Sequence, residues 1–466
     1  MKKFLALIPA ILMCTVLCAQ DASAVNPYKE ILVEKSLTFS FLSLIKGVLG
    51  MAVIVFVCWC FSSDRKHIHW GTVAKGLVLQ FVIAISVLAF PAVQTLFEAL
   101  GNAFISVLGF TKAGSDFLFG SFMDSSKFGY VFILQILPTI IFFSALMSLF
   151  FYLGIMQKIV WGMGWVLIKI IKLSGAEALA CAGNIFLGQS EAPLMVKEYV
   201  PKMTKSELAL IMTSGMATMS GGVLAAYIGM LGGGDPVMEL EFAKHLLSAS
   251  VMAAPGAIAL SKIILPQTEE IDNSLEVSKE KIGKNVLDAI SNGASTGLKM
   301  AANIAALLLV FYALIAGANA ILSWISFPAV DNFIAELSGG RYTDLSLEAI
   351  LAFVFYPVIW LIGVPAEDIG LVGRLLGEKL ILTEFVGYQS MAEMLRTGAF
   401  ASTKSAIMAT YVLCGFANFA SVGIVIGAIG GIAPNKKEIL SEYGLKTMLA
   451  AALVALMSAA MIGIFI

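Results

Sequence analysis

Gln189, Ser190 and Glu191 interrupt one apolar stretch of the chain, and Glu384 interrupts another. In such surroundings an unpaired carboxylate or amide costs on the order of several kcal/mol, so each needs a compensating partner. A polar solute held among them is one such partner. Capping of helix ends, or pairing with one another, is the other. Two further segments, Thr213-Ser214-Gly215 to Ser220-Gly221-Gly222 and Cys414-Gly415 to Asn418 to Ser421, place small, hydroxyl and amide residues in mid-helix. Glycine and back-bonding serine loosen the helical ladder there. A broken helix offers carbonyls to a cation and N-terminal amides to a polar solute, although close helix packing uses the same small residues. Glu177, Glu207, Glu367 and Asp368 sit beside turns or helix starts, where an acid favours the helix dipole, and stay outside this set.

The elements that must position these residues follow from composition. Of 466 residues, 59% are hydrophobic and 13% charged, against roughly 45–50% and about 25% in soluble domains. Mean hydropathy is +0.91. Lipid is therefore the solvent, which excludes a soluble enzyme, a disordered tail and a secreted disulfide scaffold. Thirty Lys+Arg against 31 Asp+Glu leave a net charge of -1, and no basic run could hold nucleic acid. The six cysteines form no paired CxxC set and are expected to be unpaired packing residues. His67-x-His69 lies in a polar loop and reads as solvated rather than as a zinc site.

Residues 1–24 have the charge, length and small-residue ending of a signal peptide, or else form an uncleaved first helix. Crossing helices are expected at 40–61, 72–89, 128–153, 206–231, 244–264, 298–323, 405–431 and 446–466, eight in the mature chain, with an interfacial helix at 92–110. The regions 174–203 and 366–397 hold apolar runs of only about ten residues and read as re-entrant hairpins. That reading sorts Lys75, Lys158, Lys169, Lys172, Lys197, Lys279, Lys281 and Lys436 onto one face and the acidic loop Asp235 to Glu241 onto the other, as the positive-inside bias requires. The expected organisation is 25–127 as N-terminal scaffold, 128–265 as a first repeat, 266–297 as a cytoplasmic loop with an amphipathic helix, and 298–466 as a second repeat.

The repeat shows when the chain is laid on itself at an offset of 200. Gln189-Ser190 then pairs with Gln389-Ser390, Gly215 with Gly415 and Ala217 with Ala417, while Asn184 faces Glu384 and Thr218 faces Asn418. Three crossings lie between 128–153 and 298–323, so the two units have opposite sense. Inverted repeats of this kind can exchange conformations around a midplane site.

The runs Gly183-Asn184-Ile185-Phe186-Leu187-Gly188-Gln189-Ser190-Glu191-Ala192-Pro193-Leu194, Thr383-Glu384-Phe385-Val386-Gly387-Tyr388 and Cys414-Gly415-Phe416-Ala417-Asn418 strongly resemble the concentrative nucleoside transporter family. The resemblance extends in order from about residue 40 to the C-terminus. It implies an all-α polytopic fold and a cation-coupled nucleoside symporter of a bacterial inner membrane, usually a homotrimer, with no cofactor beyond the coupling ion. By position, Gln189, Ser190 and Glu191 would address the nucleobase edge, and Val223 would pack against the base. Glu384, Asn418 and Ser421 would hold the ribose. A carboxylate accepts from two adjacent hydroxyls, and amides satisfy both donors and acceptors of a base. Sodium would fall on the Asn184 and Thr218 side chains and the carbonyls of Leu187 and Met219, an all-oxygen set suited to a hard cation. Thr383 and Gly387 stand where many members carry Asn and Ala, which bears on substrate preference. Some bacterial relatives use protons, so proton-coupled nucleoside symport is the alternative.

Two other classes compete. A membrane-embedded enzyme could also use intramembrane carboxylates, but the chain has no HExxH, no GxxxxGK[ST] loop and no nucleophile–histidine pair in its apolar segments. A passive channel is the other, and accumulation against a gradient would exclude it.

Overall fold

Backbone N–H and C=O groups surrounded by hydrocarbon must find partners within the chain, and a helix supplies them locally. The computed structural model, which describes residues 40–124, 127, 131–271, 283–338 and 340–466, is accordingly helical, with no strand among the described residues. It begins with α1 (Phe41–Cys60), α2 (Trp70–Ala89) and α3 (Pro91–Phe119). Next come α4 (Leu137–Tyr152), α5 (Ile155–Ile171), and the short α6 (Gly175–Asn184) and α7 (Ala192–Met195). Then follow α8 (Lys205–Ala217), α9 (Gly221–Gly232) and α10 (Pro236–Ile264). A single 40-residue helix, α11 (Val286–Ile325), precedes α12 (Pro328–Leu337) and α13 (Leu347–Leu361). The chain closes with α14 (Ile369–Ile381), α15 (Glu384–Arg396), α16 (Thr403–Leu413), α17 (Phe419–Ile432) and α18 (Lys437–Ile462).

Burial separates core from periphery. The apolar windows of α8–α9 and of α10 are each 94% buried, whereas those of α3 and α11 are 11% and 6% buried. The break between α8 and α9 therefore lies in one of the best-packed spans.

Among the described residues, eight helices are long and apolar enough to cross a bilayer by length and composition, but they are not the eight that hydropathy alone picks. The expected interfacial helix at 92–110 is part of α3, which continues to Phe119 and joins the long apolar set. Its polar Glu98 faces Lys244 of α10 at 3.6 Å, so the charge that suggested an interface is paired within the protein. Residues 405–431 are two helices, α16 and α17, because the backbone leaves the helix between Cys414 and Asn418. Residues 286–297, the end of the expected cytoplasmic segment, belong to α11, which runs unbroken from Val286 to Ile325. Residues 1–24 lie outside the described residues, as do Lys279 and Lys281.

The two units recur in the same order: a helix pair (α6–α7, α14–α15), an interrupted helix (α8–α9, α16–α17) and a long helix (α10, α18). The interruptions touch. Gly415 has φ 88°, and a Cβ there would lie 2.4 Å from the carbonyl oxygen of Ala217, so only glycine lets the breaks cross this closely. Helix starts absorb the other acids. Glu177 and Glu207 complete capping boxes with Ser174 and Thr204, and Asp368 accepts the backbone N–H groups of Ala401 and Ser402 at the head of α16. Glu177 also meets the ammonium of Lys262, which donates to Ser206 at 2.9 Å as well. Cys58, Cys60, Cys181 and Cys414 are free thiols.

Candidate functional site

A cavity of ≈ 160 Å³ opens where the helix breaks converge. Its polar residues are Gln189 and Ser190 in the turn after α6, Ser220 at the head of α9, Thr383 and Glu384 at the head of α15, and Asn418 and Ser421 at the head of α17, with Val223 of α9 beside them. The opposite wall is apolar: Met300, Ile304, Leu307 and Leu308 of α11. Three helix N-termini thus face one space, and the positive ends of their dipoles favour a solute rich in acceptors or partial negative charge.

Glu384 is the centre of this arrangement. It is 4% exposed and begins α15. Asn418 Nδ2 donates to its Oε2 at 2.7 Å, and the Tyr227 hydroxyl donates to its Oε1 at 3.2 Å. The backbone N–H of Glu384 itself also bonds the carboxylate, and since a carboxylate has about four lone-pair sites, some acceptor capacity remains. Tyr227 is held by stacking on Tyr388, with ring centroids 4.0 Å apart, and by an edge contact with Phe385 at 4.8 Å. Asn418 also caps α17, its Oδ1 accepting the Ser421 N–H at 2.8 Å. Gln189 reaches across from the first repeat and donates to Ser421 Oγ at 3.2 Å, while its own buried Oε1 has no partner.

Of the residues singled out from sequence, Gln189, Ser190, Val223, Glu384, Asn418 and Ser421 line this one cavity. Glu191 does not. Its carboxylate turns back on its own loop and accepts the Gly188 N–H at 3.4 Å. Ser220 and Thr383, noted above only as part of a break and as a departure from the family pattern, also line the cavity, as do Phe416 and the α11 wall, which were not assigned a role, and Tyr227 supports it from behind. For Phe416 a signal was available, since it sits inside the Cys414-to-Asn418 break. Lys379 was also missed. It is fully buried and donates to the carbonyls of Val412 and Cys414 at 3.0 and 2.5 Å, closing the C-terminal end of α16.

A second polar cluster lies behind Gln189, where α6 and α8 end. Asn184 Nδ2 donates to Ser214 Oγ at 2.7 Å, which leaves the buried Asn184 Oδ1 without a partner. Thr218 Oγ1 donates to the Ser214 carbonyl at 2.8 Å and keeps its lone pairs free to accept. Among the described residues, no backbone N–H is bonded to the carbonyls of Leu187 or Met219, which fall where the helices break. Gly215 brings these groups together, since a Cβ there would lie 3.1 Å from the Gln189 Cβ and 3.6 Å from Asn184 Oδ1. An orphaned buried oxygen beside two helix C-termini fits a small cation such as Na+, because C-terminal carbonyls carry the negative end of the helix dipole.

Comparison with known proteins identifies the family. Residues 49–122 and 245–463 match the N- and C-terminal parts of the family described as Na+ dependent nucleoside transporter, and residues 133–234 match a segment described as nucleoside recognition. An uncharacterized transporter of Haemophilus influenzae is 38% identical over 91% of this chain and 98% of its own length. The sodium/nucleoside cotransporter 1 of Mus musculus is 38% identical over 89% of this chain and 63% of its own length. For solute carrier family 28 member 3 of the same organism the figures are 36%, 89% and 58%. The chain thus spans about three fifths of these mammalian relatives. Among solved structures, CNTnw in an inward-facing substrate-bound state is 36% identical with a TM-score of 0.81, covering 91% of this chain and 99% of that one. A CNTnw variant in an outward-facing state gives 35% and 0.82, over 91% and 98%. The likeness is equal for both states and so speaks for the fold.

Proposed function

Because the chain belongs to the Na+-dependent, concentrative nucleoside transporter family, we propose that it is a sodium-coupled symporter that takes up nucleosides across a bacterial inner membrane. The observation that carries this reading is the Glu384 carboxylate, fixed by Asn418 and Tyr227 at the edge of a cavity onto which three helix N-termini open. Its remaining acceptor capacity suits the hydroxyls of a ribose, a pairing that charge-assisted hydrogen bonds make strong. Asn418 and Ser421 flank that position. Gln189 and Ser190 face the edge of the base, and Val223 and Phe416 offer it apolar surface. Glu191 holds the turn instead of touching the solute.

Sodium would be held by Asn184, Thr218 and the carbonyls of Leu187 and Met219. Its contribution there is charge, which orders the turn after α6 and the break between α8 and α9. Those same segments carry Gln189, Ser190, Ser220 and Val223. Occupancy of one site therefore changes affinity at the other, which is the physical content of coupling. The cavity is smaller than the roughly 300 Å³ at which ligand clefts begin, so a nucleoside enters only when a wall moves. Alternating access supplies that motion, with α6–α7 and α14–α15 as re-entrant hairpins of opposite sense. The mostly exposed α11 leaves surface for lipid and for assembly as a homotrimer.

The test is uptake of labelled uridine or adenosine into proteoliposomes under an inward sodium gradient, a proton gradient, or neither. Accumulation that requires sodium supports the proposal, and the recovered solute is chemically unchanged. Accumulation driven by protons in the absence of sodium replaces the coupling ion. Equilibration without accumulation under either gradient makes the protein a passive pathway.

A further inference from the structure

Helix α5 is bounded by two left-handed residues, Gly154 (φ 75°) and Lys172 (φ 67°), so it is continuous with neither α4 nor α6. Its 17 residues make it about 25 Å long. One stripe, Met156, Val160, Gly164, Leu167 and Ile171, is buried. This stripe packs on α6, where Gly164 lets the backbones approach at Ala178 and Leu179. The opposite stripe is exposed and mixed in character. Trp161 and Trp165 are 48% and 44% exposed, with Ile159 and Ile170 beside them. Lys158, Lys169 and Lys172 project from the same side, and the Lys169 ammonium lies 4.1 Å from the centroid of the Trp165 ring. No acidic residue occurs from Gly154 to Lys172.

A face of this composition is ill suited to bulk water, because two indoles and two isoleucines are left uncovered. It is equally ill suited to hydrocarbon, where three ammonium groups would have no partner. Indoles favour the headgroup layer, where the ring is half-solvated and its N–H finds acceptors. Lysines on the polar side of such a helix are attracted to anionic lipid. We propose that α5 lies in the headgroup layer of the leaflet that the lysine bias assigns to the cytoplasm, and that Lys158, Lys169 and Lys172 hold anionic phospholipid headgroups there. The chain passes from Lys172 through Leu173 into the capping box of α6, so headgroup charge bears on the helix pair that carries Gln189 and Ser190.

The test reads lipid contact and is independent of transport. The full chain is reconstituted in phosphatidylcholine containing a minor fraction of brominated phosphatidylglycerol or brominated phosphatidylcholine. The quenching difference between the chain and its Trp161→Phe/Trp165→Phe variant isolates the two rings. One lysine near an anionic surface enriches the lipid roughly fivefold at most, so quenching of these rings should be about threefold stronger by the anionic lipid. Replacing the three lysines with glutamine should bring the ratio to about one, while replacement with arginine should keep the preference. Circular dichroism and gel filtration confirm that each variant is folded. Equal quenching by both lipids in the unmodified chain overturns the proposal, as does a glutamine variant that keeps the preference. Absence of quenching by either lipid means that another protein surface covers the face, which also overturns it.

Discussion

Gln189 donates from Nε2 to the Oγ of Ser421 across 3.2 Å, joining positions 232 residues apart. One residue belongs to the turn after α6 and the other to the head of α17, so each repeat contributes one side of the contact. The bond spans the cavity edge, and it leaves Gln189 Oε1 buried without a partner. That oxygen is an acceptor set in place before any solute arrives.

Removing the hydroxyl tests this contact. Ser421→Ala loses one neutral hydrogen bond worth roughly 1 kcal/mol, so the nucleoside KM should rise about fivefold while the sodium dependence stays as it was. Adding Gln189→Ala should increase KM by less than the product of the two single effects, since the residues share a partner. Fully multiplicative effects in uptake assays would mean that the two side chains do not act together.

Glu384→Gln should be far more damaging. The substitution keeps shape but removes the charge, and one of the two acceptor oxygens becomes an amide donor. Two charge-assisted bonds worth about 1.5–3 kcal/mol each would be weakened, so uptake should drop at least 100-fold. Tyr227→Phe should cost about tenfold or less, because Asn418 still holds the carboxylate. Thermal unfolding in detergent should move little for either variant, and a large drop in melting temperature would assign Glu384 a mainly structural role.

Asn184→Ala and Thr218→Ala should act on the cation. Each deletes one proposed oxygen ligand, so half-maximal uptake should require about tenfold more sodium, with the nucleoside KM at saturating sodium nearly unchanged. A rise in nucleoside KM that excess sodium cannot reverse would place these residues outside the ion site.

The crossing of the two broken helices gives a prediction about stability. Gly415→Ala forces a side chain into the left-handed region, at about 1–2 kcal/mol, and sets its Cβ 2.4 Å from a backbone oxygen that cannot move aside. The variant should lose about 3 kcal/mol or more, seen as a lowered melting temperature and loss of a monodisperse species. Gly387→Ala should be tolerated, because its closest neighbour is the Leu413 side chain at 2.6 Å, which can rotate away. If both variants melt like the parent, the crossing is looser than described.

Much of this site can be read along the chain. Polar residues in an apolar stretch carry a desolvation cost that is visible without coordinates, which is why Gln189, Glu384, Asn418 and Ser421 stand out and prove to share one cavity. The breaks in α8–α9 and α16–α17 are legible for a related reason, since glycine and serine there weaken the helix locally. Other features are not local. The polar tone of 92–110 suggested an interfacial helix because nothing in the sequence shows that Glu98 meets Lys244.

By itself, then, the sequence determined the solvent, the helical class, the paired breaks and most of the polar residues at the cavity, because hydropathy and backbone satisfaction act over a few turns of one chain. Tertiary structure alone decided that Glu191 turns back onto Gly188, that Tyr227 and Asn418 share the Glu384 carboxylate, and that Lys379 closes the end of α16. The direction in which a side chain leaves a tight turn, and the neighbour it finds, depend on how distant helices pack. No spacing along the sequence encodes that.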